Sequence, residues 1–197
     1  MANFILMPQT PLVQKLRKPP VVIASALLAG FFLWMIQVRG LPLVPGFATI
    51  LRIGLPDMMF TYSPSSIYKK LVLFGPGGRT AYRLFLERVD SLFPAIYGLF
   101  FLSSTAFCLG CLFPNRTALR QLSLLTLGTT FFDYAENFCF LALLRHYPQE
   151  WIGLEKLANV CTLAKWAFAA FSMAVLLYTA LRLLFRSLRK RGAESTQ

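Results

Sequence analysis

Four apolar runs, each long enough to cross a bilayer as an α-helix, constrain the fold of this chain more than any other feature. A membrane-spanning helix needs about 20 mostly apolar residues. The runs cover about residues 21–38, 84–113, 119–144 and 157–185. Short connections join the last three, so these are expected to be antiparallel neighbours. The sequence therefore predicts an all-α integral membrane protein: a multi-pass, four-transmembrane-helix bundle that forms a single membrane domain over residues 1–197.

Composition supports membrane insertion and argues against a nucleic-acid partner. Hydrophobic residues make up 56% of the chain, charged residues only 14%, and the mean hydropathy is +0.58. The net charge is +12, but the basic residues cluster at the ends of the apolar runs, where anionic lipid headgroups attract them. A nucleic-acid-binding protein would instead spread such charge over a polar surface. The expected partner is the lipid bilayer.

The distribution of basic residues also predicts a topology. The two termini and the connection around Asn115 carry more Lys and Arg than the other two loops. Because cytoplasmic loops carry an excess of these residues, both termini are expected in the cytoplasm.

A loop of residues 39–83 separates the first two runs and is rich in proline and glycine. Within it, Ser63-Pro64-Ser65-Ser66 predicts the start of a short amphipathic helix, with Ile67, Leu71 and Val72 sharing one face. Gly75-Pro76-Gly77-Gly78 predicts a break before the second run. We expect this segment to be a partly helical loop that caps one end of the bundle.

Four ionisable residues lie inside the predicted spans: Asp90, Asp133, Glu136 and Lys165. Each costs about 2.5 to 3.5 kcal/mol to insert on translocon scales, so each needs a partner, water or a change of protonation. Counted from helix ends on the same side, Asp90, Glu136 and Lys165 fall in the same half of the bilayer. They are therefore predicted to meet.

Helical periodicity places these residues on inward faces. Steps of three and four residues produce one polar stripe in the third run, a matching stripe in the fourth and a third stripe leading into the second run. The stripes are Thr126, Thr129, Thr130, Asp133, Glu136 and Asn137; Asn159, Thr162, Lys165, Trp166 and Ala169; and Arg79, Tyr82, Arg83, Leu86, Asp90, Phe93 and Tyr97. Pro94 has no N–H, which leaves the Asp90 carbonyl free as an acceptor.

These stripes predict a pocket for a lipid-like molecule, with the polar head at the charges and the tail between helices. The candidate catalytic residues are Asp90, Asp133, Glu136 and Lys165, for acid–base chemistry by buried carboxyl groups. The candidate ligand-binding residues are Asn137, Arg79, Tyr82, Arg83, Tyr97 and Thr162. No cofactor and no metal ion is assigned, although three acids against one lysine leave two negative charges for protonation, arginines or a bound cation to balance.

Two other interpretations remain open. Buried polar groups can serve only to hold membrane helices together, in which case the chain is a structural or assembly subunit. Cys108 and Cys111 form a CxxC motif, which also occurs in thiol or quinone oxidoreductases, but the pattern alone is weak.

Overall fold

A computed structural model of the chain describes residues 11–39, 44–63 and 65–194, and within these ranges all regular secondary structure is helical. The α-helices of this part are α1 (Pro11–Leu16), α2 (Pro19–Arg39), α3 (Phe47–Ile53), α4 (Ser66–Arg88), α5 (Phe93–Leu112), α6 (Thr117–Gln121), α7 (Leu127–His146) and α8 (Ile152–Glu194). Short 3₁₀ segments cover Pro56–Met58 and Leu122–Thr126. Residues 40–43 and Pro64, which belong to the predicted capping loop, lie outside the described residues.

Three of the described helices are long and apolar enough to cross a membrane, which indicates a membrane-associated protein. The segments are Pro19–Ile36 in α2, Phe93–Leu112 in α5 and Ile152–Arg189 in α8. The third predicted run is helical throughout Thr117–His146, but α7 is not among the three because its acidic and amide side chains lower its hydropathy. A four-helix membrane bundle therefore stays a prediction.

The predicted second span begins too early in the sequence. Residues 84–88 belong to α4, the chain turns at residues 89–92, and α5 begins at Phe93. Pro94 lies in the first turn of α5, where its missing N–H costs no helical hydrogen bond. The proline therefore starts a new helix where one continuous helix was expected.

The segment between α2 and α5 folds as a helical layer, which we call the cap (residues 44–63 and 65–88). Its helix α3 packs on α4, and α4 packs on α7. Large apolar side chains of the cap form a core with residues of α7 and α8: Phe47, Ile50, Tyr62, Ile67, Leu71, Phe74, Tyr82, Phe85, Phe140, Leu143 and Ala158. This core fixes the cap over one end of the long helices.

The amphipathic helix predicted in the cap forms, with one error in its apolar face. It begins at Ser66, buries Ile67 and Leu71, and breaks at Gly75, whose φ of 64° lies in the left-handed region that favours glycine. Val72, however, is 62% exposed, because Phe74 takes the buried position on the next turn.

The long helices approach closely at two glycines. Helices α5, α7 and α8 pack on one another, and α2 packs on α5. A Cβ added at Gly98 of α5 would overlap the Thr130 hydroxyl oxygen on α7, and one added at Gly128 would lie 2.5 Å from the Phe168 ring on α8. Small residues at these positions let the backbones approach; small residues have the same effect in membrane helix pairs.

We predict that Gly98→Ala lowers the stability of the protein by about 1 to 3 kcal/mol, because overpacking forces α5 and α7 apart. Thermal unfolding in detergent micelles, followed by circular dichroism, measures the change. Gly30→Ala in α2 is the matched control, since no atom lies within 4 Å of its added Cβ. An unchanged melting temperature for Gly98→Ala would contradict the close contact.

Candidate functional site

One face of α8 holds the cap in place through side-chain hydrogen bonds. Glu155 accepts from the backbone N–H of Ser65 at 2.7 Å and of Ile67 at 2.9 Å, so a buried carboxylate caps the start of α4. One turn further along α8, Asn159 accepts from the Tyr62 N–H at 3.2 Å. Trp166 donates from its indole N–H to the Met59 carbonyl at 3.2 Å. These contacts position the irregular part of the cap along α8.

Lys165 lies where α7, α8 and the cap meet. Its Nζ forms ion pairs with Asp133 Oδ1 at 3.3 Å and with Glu136 Oε2. It also donates to the backbone carbonyl of Asp57 at 3.1 Å. An ammonium group has three donors, and these three acceptors use all of them. Asp133 and Glu136 are three residues apart and therefore lie on the same face of α7.

The other oxygens of these two carboxylates are bound by hydroxyl groups. Tyr97 of α5 donates to Asp133 Oδ2, and Thr162 of α8 donates to Glu136 Oε1. Tyr62 of the cap lies 3.3 Å from the Thr162 hydroxyl oxygen and can donate to it. Asp133 and Glu136 thus link α5, α7, α8 and the cap in one polar network.

Asp90 lies in the turn between α4 and α5 and is held differently. Its backbone carbonyl accepts from the Asn137 amide at 3.2 Å, which fills the position that Pro94 leaves free. Its side chain is only 5% exposed, and within the described part of the chain the buried Oδ2 atom has no hydrogen-bond partner. An unpaired buried carboxylate oxygen is costly, so this atom needs an explanation.

A fourth carboxyl group of the site, Asp57, was not predicted. It is the only acidic residue in the loop of residues 39–83, and that isolation among basic residues is the signal that could have marked it. Tyr82 donates to Asp57 Oδ1 at 3.3 Å. Burial raises the pKa of Asp57 above its usual value and Asp133 adds to the increase, while the Lys165 charge opposes it.

A cavity of about 470 Å³ opens beside this network. Its charged end is formed by Asp57, Asp90, Asp133 and Lys165, and the rest of its wall is mainly apolar and aromatic. The remaining lining residues are Leu33, Met58, Phe60, Phe93, Tyr97, Phe101, Thr129, Trp166, Ala169, Ala170 and Met173. The cavity therefore has the division into polar and apolar parts that an amphiphilic molecule has.

The structure brings together part of the predicted site. Of the candidate catalytic residues, Asp90, Asp133 and Lys165 line the cavity, while Glu136 is fully buried behind Lys165. Of the candidate ligand-binding residues, Tyr97 lines the cavity. Three others lie behind its wall, each hydrogen-bonded to a network residue: Asn137 to Asp90, Tyr82 to Asp57 and Thr162 to Glu136.

The candidate ligand-binding residues Arg79 and Arg83 do not line the cavity. Arg79 donates to the Leu71 carbonyl at 2.9 Å and stacks over the Tyr147 ring. Arg83 is exposed and pairs with Glu87 one turn later in α4 at 3.0 Å. Because α4 buries Tyr82 and Phe85, its helical period turns Arg83 outward.

The CxxC motif lies apart from the cavity. Cys108 and Cys111 are free thiols near the end of α5, and the last cavity residue on that helix, Phe101, comes two turns before them. Among the described residues, no group of three or more His, Cys, Asp and Glu side chains is placed to hold a metal ion.

Comparisons with protein-family models, with curated proteins and with solved structures gave no match to this chain. Its function must therefore be argued from the chemistry of the site itself.

We predict that Lys165→Met destabilises the protein by about 3 to 5 kcal/mol, because it leaves Asp133 and Glu136 buried without a counter-charge. Adding Glu136→Gln to this variant should restore part of the loss. Thermal unfolding in micelles measures both effects. Lys156→Met, an exposed position on the same helix, is the control. Equal stability of the Lys165 and Lys156 variants would rule out a central role for the ion pairs.

Glu155→Gln should cost about 1 to 3 kcal/mol, since the new amide NH₂ would face one of the two N–H groups that now donate to the carboxylate. The control is Glu150→Gln, an exposed acid in the preceding turn. Limited proteolysis within residues 55–65 should accelerate for the Glu155 variant alone. Identical cleavage rates for the two variants would show that Glu155 does not anchor the cap.

Proposed function

We propose that this chain is a multi-pass membrane protein whose cavity binds a lipid-like molecule. The polar head would lie at Asp90, Asp133 and Lys165, and the apolar tail would leave between the helices. The observation that carries the proposal is the cavity lining itself, which combines buried charges at one end with an apolar wall. Its volume of about 470 Å³ is within the usual range of ligand pockets.

The exposure of two apolar residues that line the cavity supports an opening of the cavity toward the lipid. Leu33 on α2 is 50% exposed and Met173 on α8 is 53% exposed. Both line the cavity, so a tail lying between these helices would contact the wall and the surrounding acyl chains together. A ligand could then enter sideways from the bilayer without crossing water.

In the proposed arrangement α7 also spans the membrane, together with α2, α5 and α8, and completes a four-helix bundle. It has 20 residues, about 30 Å of helix, which matches the hydrocarbon thickness. Its polar residues Asp133, Glu136 and Asn137 are buried, while Phe131 and Phe138 are exposed. A helix that turns its charges inward and its aromatic residues outward suits a position between α5 and α8 in lipid.

The proposed topology places the termini in the cytoplasm and the cap on the other side. Basic residues gather near the end of α5: the Arg17 guanidinium lies 3.1 Å from where a Cβ on Gly110 would be, and Arg186 donates to the Leu112 carbonyl at 3.5 Å. Their position at the helix end opposite the cap agrees with the positive-inside bias.

We predict that filling the cavity abolishes ligand binding. Trp166 lines the cavity, and Trp34→Phe with Trp151→Phe leaves it as the single tryptophan. In nanodiscs, a long-chain alcohol brominated in its tail should quench Trp166 with a saturable component. Ala169→Phe, which places a ring in the cavity, should weaken that component at least tenfold.

Ala167→Phe, on the exposed face of the same helix, is the control and should bind as the parent protein does. If quenching is never saturable, or both variants behave alike, the pocket proposal is wrong. The buried polar groups would then be assigned to helix association, as in a structural subunit.

Acid–base chemistry on the bound molecule is a second candidate, favoured by the unpartnered Asp90 carboxylate at the cavity wall. A positioned carboxyl group can give or take a proton when a substrate lies within hydrogen-bond reach. Mass analysis of the bound molecule separates the two functions, because binding alone leaves it unchanged.

A further inference from the structure

Acidic side chains outnumber basic ones in the lining of the cavity. Three carboxyl groups, those of Asp57, Asp90 and Asp133, lie on its wall, and Glu136 lies directly behind. Among the described residues of the lining, Lys165 is the only basic one. A ligand head group in this cavity therefore meets more acidic than basic side chains.

The positive charge of Lys165 is already paired. Its ammonium group contacts Asp133, Glu136 and the Asp57 carbonyl, and the remaining oxygens of both carboxylates receive hydroxyl donors. Lys165 thus has no donor left for an anionic head group. Each carboxylate oxygen of Asp133 and Glu136, in turn, already has one donor.

Asp90 carries a carboxyl oxygen that the fold leaves unpaired. It lies on the cavity wall, 95% of its surface is buried, and its Oδ2 atom has no partner within the described part of the chain. The side-chain amide of its neighbour Asn137 donates to the backbone carbonyl of the residue and also interacts with its carboxyl group. An acceptor that the fold leaves unpaired at a cavity wall points to a donor supplied by a ligand.

Aromatic rings form much of the surrounding wall. Phe93 and Tyr97 pack edge to face with centroids 5.2 Å apart, and Phe60 lies 4.8 Å from the Trp166 ring. All four line the cavity. Aromatic faces attract ammonium groups through the negative potential of the ring, particularly where water is excluded.

We propose that the ligand is a cationic amphiphile, a long-chain amine whose ammonium group donates to Asp90 and lies against this aromatic wall. This inference rests on the proposed function and specifies its ligand class. A carboxylate or phosphate head would instead approach three carboxyl groups and a lysine whose donors are all used. An alcohol could donate to Asp90 but carries no positive charge for the carboxyl groups to attract.

The test compares head groups on one tail. The Trp166-only protein in nanodiscs is titrated with four probes that share a brominated alkyl tail and carry a primary amine, its N-acetylated neutral form, an alcohol or a carboxylate. We expect the amine to bind at least tenfold more tightly than the other three. Asp90→Asn should remove this preference.

Glu87→Gln, which removes one negative charge from the outer face of α4, is the control and should keep the preference for the amine. Equal affinities of all four probes for the parent protein, or tighter binding of the carboxylate, would overturn the head-group assignment while the pocket proposal stands. If no probe shows saturable quenching, the pocket proposal itself fails. The comparison of the amine with its N-acetylated form uses the parent protein, so it tests the preference for a cationic head group even if Asp90→Asn does not fold.

Discussion

The ammonium group of Lys165 is the point on which the rest of the site depends. It joins α8 to α7 through Asp133 and Glu136, and it joins both helices to the cap through the Asp57 carbonyl. Desolvating an ammonium and two carboxylates is expensive, and the cost is offset only when every polar atom has a partner. That requirement explains why hydroxyl groups from α5 and α8 complete the network. The same requirement makes the unpaired oxygen of Asp90 informative.

Helix α8 holds the cap in place, in addition to supplying Lys165 for the ion pairs. Glu155, Asn159 and Trp166 follow one another along one face of that helix, and each binds a backbone group of residues 59–67. Buried irregular backbone must find partners for its N–H and C=O groups within the protein. Side chains of a long, continuous helix provide them at fixed intervals, which holds Asp57 at the cavity wall.

Helical periodicity predicted much of the site from the sequence. The stripes on α7 and α8 were visible as steps of three and four, and Pro94 indicated that the Asp90 carbonyl would need a donor. Arg79 and Arg83 were misplaced because the stripe through them assumed that α4 and α5 form one helix. The turn at residues 89–92 ends that register, so the face that holds Tyr82 does not continue into Tyr97. Asp57 was missed for a different reason: its contact with Lys165 joins residues 108 positions apart, and no local pattern carries that information.

The acidic residues differ in whether their carboxyl oxygens are paired, and this difference bears on the choice between a ligand pocket and simple helix association. Polar groups that only hold helices together are expected to satisfy one another, as Glu136 does with Lys165 and Thr162. Asp90 contributes to packing through its backbone carbonyl, which would serve equally well with any side chain. Its carboxyl group adds the cost of a buried polar atom without a partner in the described part of the fold. Helix association alone gives no reason to keep such a group at the wall of a cavity, whereas a ligand that donates to it does.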